Sequence, residues 1–240
     1  MISPELERKL RHLRLSGMAQ VFDVRLEQAV QGRLSHQEFF ELLIDDELTR
    51  RRDRLLERRL RQAQFPERKS LEDFNFSFNS SINRQQIFDL ATGRFIEQRR
   101  GWLVIGQTGV GKTHLIIAVG MKAVEAGHRV RYQSAFDLLE DMAEATATGN
   151  RRNYITEMTR IPLLIIEDLG LRRVPDSAAE DLLEILHRRY QKTSTILSSN
   201  RPLDDWGAML GGDTAATSAL LDRFLHASEV TFVRGKSYRL

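Results

Sequence analysis

Gly106, Gly111, Lys112 and Thr113 form one cluster in the stretch GQTGVGKTHL: a glycine, four residues, a second glycine, a lysine and a hydroxyl. Bare backbone lets successive amide N–H groups turn inward around phosphate oxygens, the lysine neutralises the outer phosphates, and the threonine hydroxyl can serve Mg²⁺. The apolar run WLVI (102 to 105) precedes the cluster and a stretch of helical character follows it, so the loop joins a strand to a helix as this chemistry requires. The alternative, a glycine-rich turn that happens to carry Lys-Thr, does not account for that setting. A nucleotide's phosphates are the ligand that fits, with contacts expected at Gly106, Gln107, Thr108, Gly109, Val110, Gly111, Lys112, Thr113 and His114.

A magnesium nucleotide also needs a carboxylate, and LLIIED ends in Glu167 and Asp168, where the strands of α/β sheets present their ligands. By position Glu167 stands on the Mg²⁺ side and Asp168 orients the attacking water. Such sites more often carry aspartate first. Glutamate is one methylene longer, and Mg²⁺ accepts oxygens only at about 2.0–2.1 Å in an octahedron, so a water-mediated contact suits Glu167 better than a direct bond. The order Glu-Asp bears on turnover speed more than on binding. Capping of the turn before Gly170 is the alternative role for both acids.

Two further residues belong to the same chemistry. Asn200 ends the run STILSSN and would reach a γ-phosphate if its strand lay between the other two; a turn-forming asparagine before Arg201-Pro202 is the alternative. Arg223, in SALLDRFLH, sits in a short helix after Asp213 or Thr214 and has no use within its own nucleotide site. Offered to a neighbouring subunit, such an arginine is worth roughly 10³–10⁵ in rate. The alternative is a salt bridge with Asp222 or Glu229.

The elements that must position these residues are legible from period. Four apolar runs, WLVI, VRY (130 to 132), LLII (163 to 166) and TIL (195 to 197), alternate with stretches of helical character, which means a parallel sheet with helices on both faces. Gly127 ends the first of those helices, Ser134 with Asp137 begins the second and Ser177 with Glu180 the third. EVTFV can add a fifth strand. Upstream the pattern is helical only: Ser3-Pro4-Glu5 opens a helix carried by Leu6, Leu10 and Leu13, and the capping box Ser35/Glu38 opens a long one running to Phe65-Pro66. The fold class is therefore α/β, a three-layer core with a parallel sheet, preceded by a small all-helical domain. The expected domains are 1–66 (helical), 67–100 (connector) and 101–240 (nucleotide core).

Composition bounds the rest. No run approaches the roughly 20 apolar residues of a membrane span, and the charged start lacks a signal peptide's apolar centre, which points to the cytoplasm and excludes membrane partners. With no cysteine, and six histidines scattered without ligand spacing, disulfides and a structural metal are not expected. The net charge is +3, but of 36 basic residues six are lysine and thirty arginine. A GC-rich genome inflates arginine everywhere, so the local pattern matters more. In RRRDRLLERRLR, Arg50, Arg51, Arg52, Arg54, Arg58, Arg59 and Arg61 face only Asp53 and Glu57. That excess suits the phosphates of nucleic acid; a solvated face or an acidic protein partner is the alternative.

These motifs and their order resemble the IstB family, the ATP-binding helpers of insertion-sequence transposition and AAA+ relatives of the DnaC helicase loader. The resemblance runs almost end to end: LRLSGMAQVF, RRRDRLLERRLRQAQFP, SLEDFNF, GQTGVGKTHL, LLIIEDLG, DLLEILHRRY, SSNRPLDDW, LLDRFLH and GKSYRL. It implies that Gly106 to Thr113 is Walker A, that Glu167 and Asp168 are Walker B, that Asn200 is sensor 1 and that Arg223 is the arginine finger. It implies an AAA+ core without a separate lid, and a slow ATPase stimulated by DNA or a partner. ATP and Mg²⁺ would sit between subunits of a homo-oligomeric ring or helix on double-stranded DNA, with a cognate transposase as partner. A DnaC-like loader of a replicative helicase is the nearest alternative; a metabolic P-loop kinase or small-molecule ATPase is disfavoured by the arginine run.

Overall fold

The structure, a computed structural model, describes residues 1–170, 176–210 and 214–238, with the backbone alone at 176–179, 207, 214–217 and 220. The chain divides into two compact units, Met1–Arg58 and Arg59–Leu240. The first holds α1 (Pro4–His12), α2 (Ser16–Gly32) and most of α3 (His36–Ala63). Ser3 caps α1, its hydroxyl accepting the Leu6 N–H at 3.2 Å, and Ser35 and Glu38 exchange the two bonds of the capping box that opens α3. Helix α1 stops at His12, short of Leu13, and Arg14 follows in the left-handed region at φ 59°. Helix α2 has no capping side chain of its own. Glu47 of α3 supplies one from across the unit, accepting the Gly17 and Met18 N–H groups at 2.6 and 3.3 Å.

In the second unit, Asn83 caps α4 (Arg84–Ala91), and the short α5 (Arg94–Glu97) leads into the sheet. Strand β1 (Gly101–Gly106) is followed by α6 (Lys112–Glu125), β2 (Val130–Ser134), α7 (Ala135–Ala147), α8 (Arg151–Arg160), β3 (Leu163–Leu169), α9 (Asp176–Arg189), β4 (Ser194–Ser199), α10 (Trp206–Met209), α11 (Thr214–His226) and β5 (Ser228–Val233). All neighbouring strands pair parallel in the order β2-β3-β4-β1-β5. Every apolar run read as a strand is one, and EVTFV is the fifth. Burial on both faces explains why the centres of β1 and β3 read as unbroken apolar runs without alternation.

Two departures are local. The link from β2 to β3 holds two helices, divided at Gly149 (φ 73°). Helix α9 is described from Asp176, so Ser177 lies inside it; the Ser177 side chain and the segment 171–175 lie outside the described residues, as does Asp213. Because every strand runs the same way, the chain leaves β1, β3 and β4 at one edge, and β4 lies between the other two. Gly106, Glu167 and Asn200 therefore end at the same edge of the sheet. Among the described residues no helix is long and apolar enough to cross a membrane.

Candidate nucleotide site

The loop after β1 gets its shape from glycine. Gly109 and Gly111 take φ of 84° and 100°, a region that costs a side-chained residue roughly 1–2 kcal/mol, and their neighbours crowd as well. A Cβ on Gly109 would meet Ser237 Oγ at 2.3 Å, and one on Gly111 would meet the Phe74 ring at 2.8 Å. Gly111 is the N-cap of α6 and offers no capping side chain, so the first amides of that helix are left for an anion. Val110 is buried; Gln107 and Thr108 are exposed. Lys112 is only 5% exposed, and its Nζ donates to the Gln107 carbonyl at 3.0 Å, folded back over the loop it serves. His114 is turned elsewhere: Nε2 lies 2.7 Å from the Ser70 carbonyl, and the imidazole meets the Phe74 ring edge-on.

Glu167 reaches this loop from β3. It is 2% exposed, with Oε2 accepting the Tyr132 hydroxyl, and Oε1 is buried without a protein hydrogen-bond partner. Burial pushes the carboxyl above its ordinary value. The Thr113 and Tyr132 hydroxyls pull it back, the Asp168 charge adds to the push, and Lys112 opposes it. The Thr113 hydroxyl acts on Glu167 without completing a well-formed bond to Oε1. Asp168 is exposed and left-handed (φ 58°), its N–H donating to Ser198 Oγ at 3.1 Å, within a register shift between β3 and β4 at Ile166/Leu169. Asn200 is half-buried and its Oδ1 is likewise a buried acceptor without a protein partner. A cleft of about 640 Å³ lies beside the loop, lined by Gly106, Gln107, Asn200, Pro202, Leu203 and Phe232 among others, a size that suits a small-molecule ligand.

A glycine-shaped cradle at a helix N-terminus without a side-chain cap, a buried cation and two orphaned acceptors form the set of groups that a triphosphate and a divalent cation require. The residues present fit both. A family model described as IstB-like ATP binding protein matches residues 8–240. The chain belongs to the IstB-like family. It is 37% identical to the putative ATP-binding protein of insertion sequence IS21 from Pseudomonas aeruginosa over 98% of this chain and 89% of that one. Among solved structures, the fold is similar to the replication initiator DnaA bound to AMPPCP and single-stranded DNA (TM-score 0.56, 19% identity, 72% of this chain and 52% of that one). It is also similar to the DnaC helicase loader (TM-score 0.55, 21% identity, 74% and 99%). This IstB-like chain is thus an ATP-binding protein of the insertion-sequence type with an AAA+ core.

Arg223 is exposed on α11, and among the described residues no ion pair involves it, with Asp222 and Glu229 included. Of the α3 arginines, Arg51 is committed to Glu47 at 2.7 Å and to the Arg14 carbonyl, while Arg50 and Arg59 are half-buried. Arg52, Arg54, Arg58 and Arg61 are exposed, without ion pairs among the described residues. Sequence reasoning missed three contacts with the site. Tyr132 grips Glu167; Asn79 Nδ2 donates to the Val110 carbonyl at 3.4 Å; and the Tyr238 N–H donates to the Gly109 carbonyl at 2.8 Å, its ring tilted against that of Phe78. All three depend on contacts between residues more than thirty apart, which no local pattern announces.

Proposed function

We propose that this IstB-like protein is an ATPase that assembles on duplex DNA through ATP held between subunits, remodels that DNA and regulates the transposase of its element. The observation that supports it best is the convergence of the α6 N-terminus, buried Lys112 and the two orphaned acceptors, Glu167 Oε1 and Asn200 Oδ1, on one edge of the sheet. The amides of Gly106 to Thr113 bind the phosphates and Lys112 neutralises them. Thr113 and Glu167 hold Mg²⁺, which supplies charge compensation for the transferring phosphoryl group. Asp168 orients the attacking water and Asn200 reports the γ-phosphate. Arg223 is presented to the site of a neighbouring subunit. Residues 1–66 bring arginine to the DNA backbone, 67–100 connect, and 101–240 hydrolyse ATP.

The test is a gel shift with labelled duplex in the presence of Mg²⁺ and ATP, ADP or no nucleotide. ATP should promote large, sequence-tolerant complexes that weaken steeply with salt. Lys112→Ala should lose the ATP-dependent part; normal ATP-dependent assembly by this variant would refute the nucleotide-gated reading. The likeness to the DnaC helicase loader favours a second reading, in which the partner is a replicative helicase. Retention of purified helicase but not of transposase by immobilised protein would select it.

A further inference from the structure

Glu167 is the one residue of the nucleotide site whose type departs from expectation, and the strand beside it carries a matching departure from a plain apolar edge. Strand β2 pairs with β3 so that Tyr132 lies opposite Ile165. Glu167 leaves β3 on the same face as Ile165, two residues on, which makes Tyr132 and Glu167 diagonal neighbours within reach of a long side chain. Tyr132 spans that diagonal and donates its hydroxyl to Glu167 Oε2, while Phe65 packs on its ring at 6.0 Å between centroids. The other carboxylate oxygen, Oε1, is buried without a protein hydrogen-bond partner, and the Thr113 hydroxyl and the Lys112 charge both favour the charged form of the carboxyl.

We infer that Tyr132 is a positioning residue for the metal arm: it fixes the longer glutamate so that one oxygen is presented to the divalent cation's water shell. This rests on the ATP–Mg²⁺ reading of the site. An aspartate at 167 would be about 1.5 Å shorter and carry one fewer rotatable bond, so it would present its carboxylate without such a clamp. Glutamate alone, free to turn about that extra bond, would spend its time in several rotamers. The Tyr132 hydroxyl selects one of them. Outer-shell partners of this kind are typically worth 10- to 100-fold in metal affinity.

The experiment is a double-mutant cycle read by binding of a fluorescent ATP analogue, with titrated Mg²⁺ and with EDTA. Tyr132→Phe keeps the ring against Phe65, and melting without nucleotide verifies the fold. In the Glu167 background this change should weaken the Mg²⁺ dependence of binding about tenfold and leave binding in EDTA unchanged. In the Glu167→Asp background it should cost less than about twofold, because the shorter acid does not use the clamp. Equal losses in both backgrounds, or no loss in either, would overturn the inference. If the unaltered protein bound no nucleotide at all, the ATP reading itself would fall, a result distinct from tight binding that ignores Tyr132.

Discussion

Replacing Glu47 by glutamine tests how the helical unit is held together, since the carboxylate does the work of a missing cap. It is 4% exposed and accepts the Gly17 N–H at 2.6 Å, the Met18 N–H at 3.3 Å and Arg51 Nε at 2.7 Å. Glutamine keeps one acceptor oxygen, loses the charge and turns an NH₂ toward a donor. Losing charge assistance on the two short bonds costs about 1 kcal/mol each, and the mismatched donor adds about as much, giving roughly 2–3 kcal/mol in all. That predicts amide exchange in α2 faster by roughly 30- to 150-fold where exchange follows opening of this unit. The pH dependence supplies a second reading. Burial alone would raise the Glu47 pKa, but Arg51 and the two amides outweigh it and bring it below the ordinary 4.5. The charged form is favoured by folding, so its contribution is complete above about 4.5 and disappears as pH falls through the lower folded-state value. The gap between the two proteins should hold from pH 7 to 5 and close in stronger acid. Equal α2 exchange rates at pH 7, or a gap that persists unchanged at pH 3, would refute the assignment.

The other predictions concern assembly and DNA. If Arg223 completes a neighbour's site, Arg223→Ala and Asp168→Ala proteins, each inactive alone, should regain hydrolysis when mixed, because some interfaces then join an intact finger to an intact acid; phosphate release measures this, and no recovery from co-assembled variants removes the role in trans. The exposed arginines Arg52, Arg54 and Arg58 should each carry about one unit of the salt slope of duplex binding when they contact phosphate, so the triple alanine variant should lower the slope by about three in fluorescence anisotropy, while Arg51→Ala, whose partner is Glu47, should leave it nearly unchanged.

Much of this architecture was legible because its signals are local. A glycine-lysine loop between strand and helix, serine caps at positions 3, 35 and 134, and apolar runs of strand length each depend on a few neighbouring residues, and each is present. Helix α2 was not, because its cap comes from Glu47, some thirty residues away. The split between α7 and α8 was missed too, since the connecting Gly149-Asn150 resembles an ordinary loop within a longer helical stretch. At the site, the identities of Lys112, Thr113, Glu167 and Asn200 could be read, but not which oxygens the protein itself would satisfy. Tyr132 looks like any strand aromatic until the register of β2 against β3 puts Glu167 on its diagonal.

The adjacency of Glu167 and Asp168 raises a geometrical difficulty that the register shift resolves. Consecutive residues of a regular strand face opposite sides of the sheet, so two neighbouring acids would be divided between α6 and the layer that packs Leu164 and Ile166. Between Ile166 and Leu169 the chain advances three residues while β4 advances two, from Leu197 to Ser199. The extra residue is a bulge, and Asp168 absorbs it in a left-handed conformation that is rare for a side-chained residue. Ser198 holds the strained peptide by accepting the Asp168 N–H. The break in the pleat takes Asp168 out of alternation: Glu167 stays buried beside Thr113, and Asp168 emerges into solvent, near enough for its charge to act on both Glu167 and Tyr132. One acid is thus dry and held and the next is wet, which is the division that the proposed roles, one beside a cation and the other beside a water molecule, require.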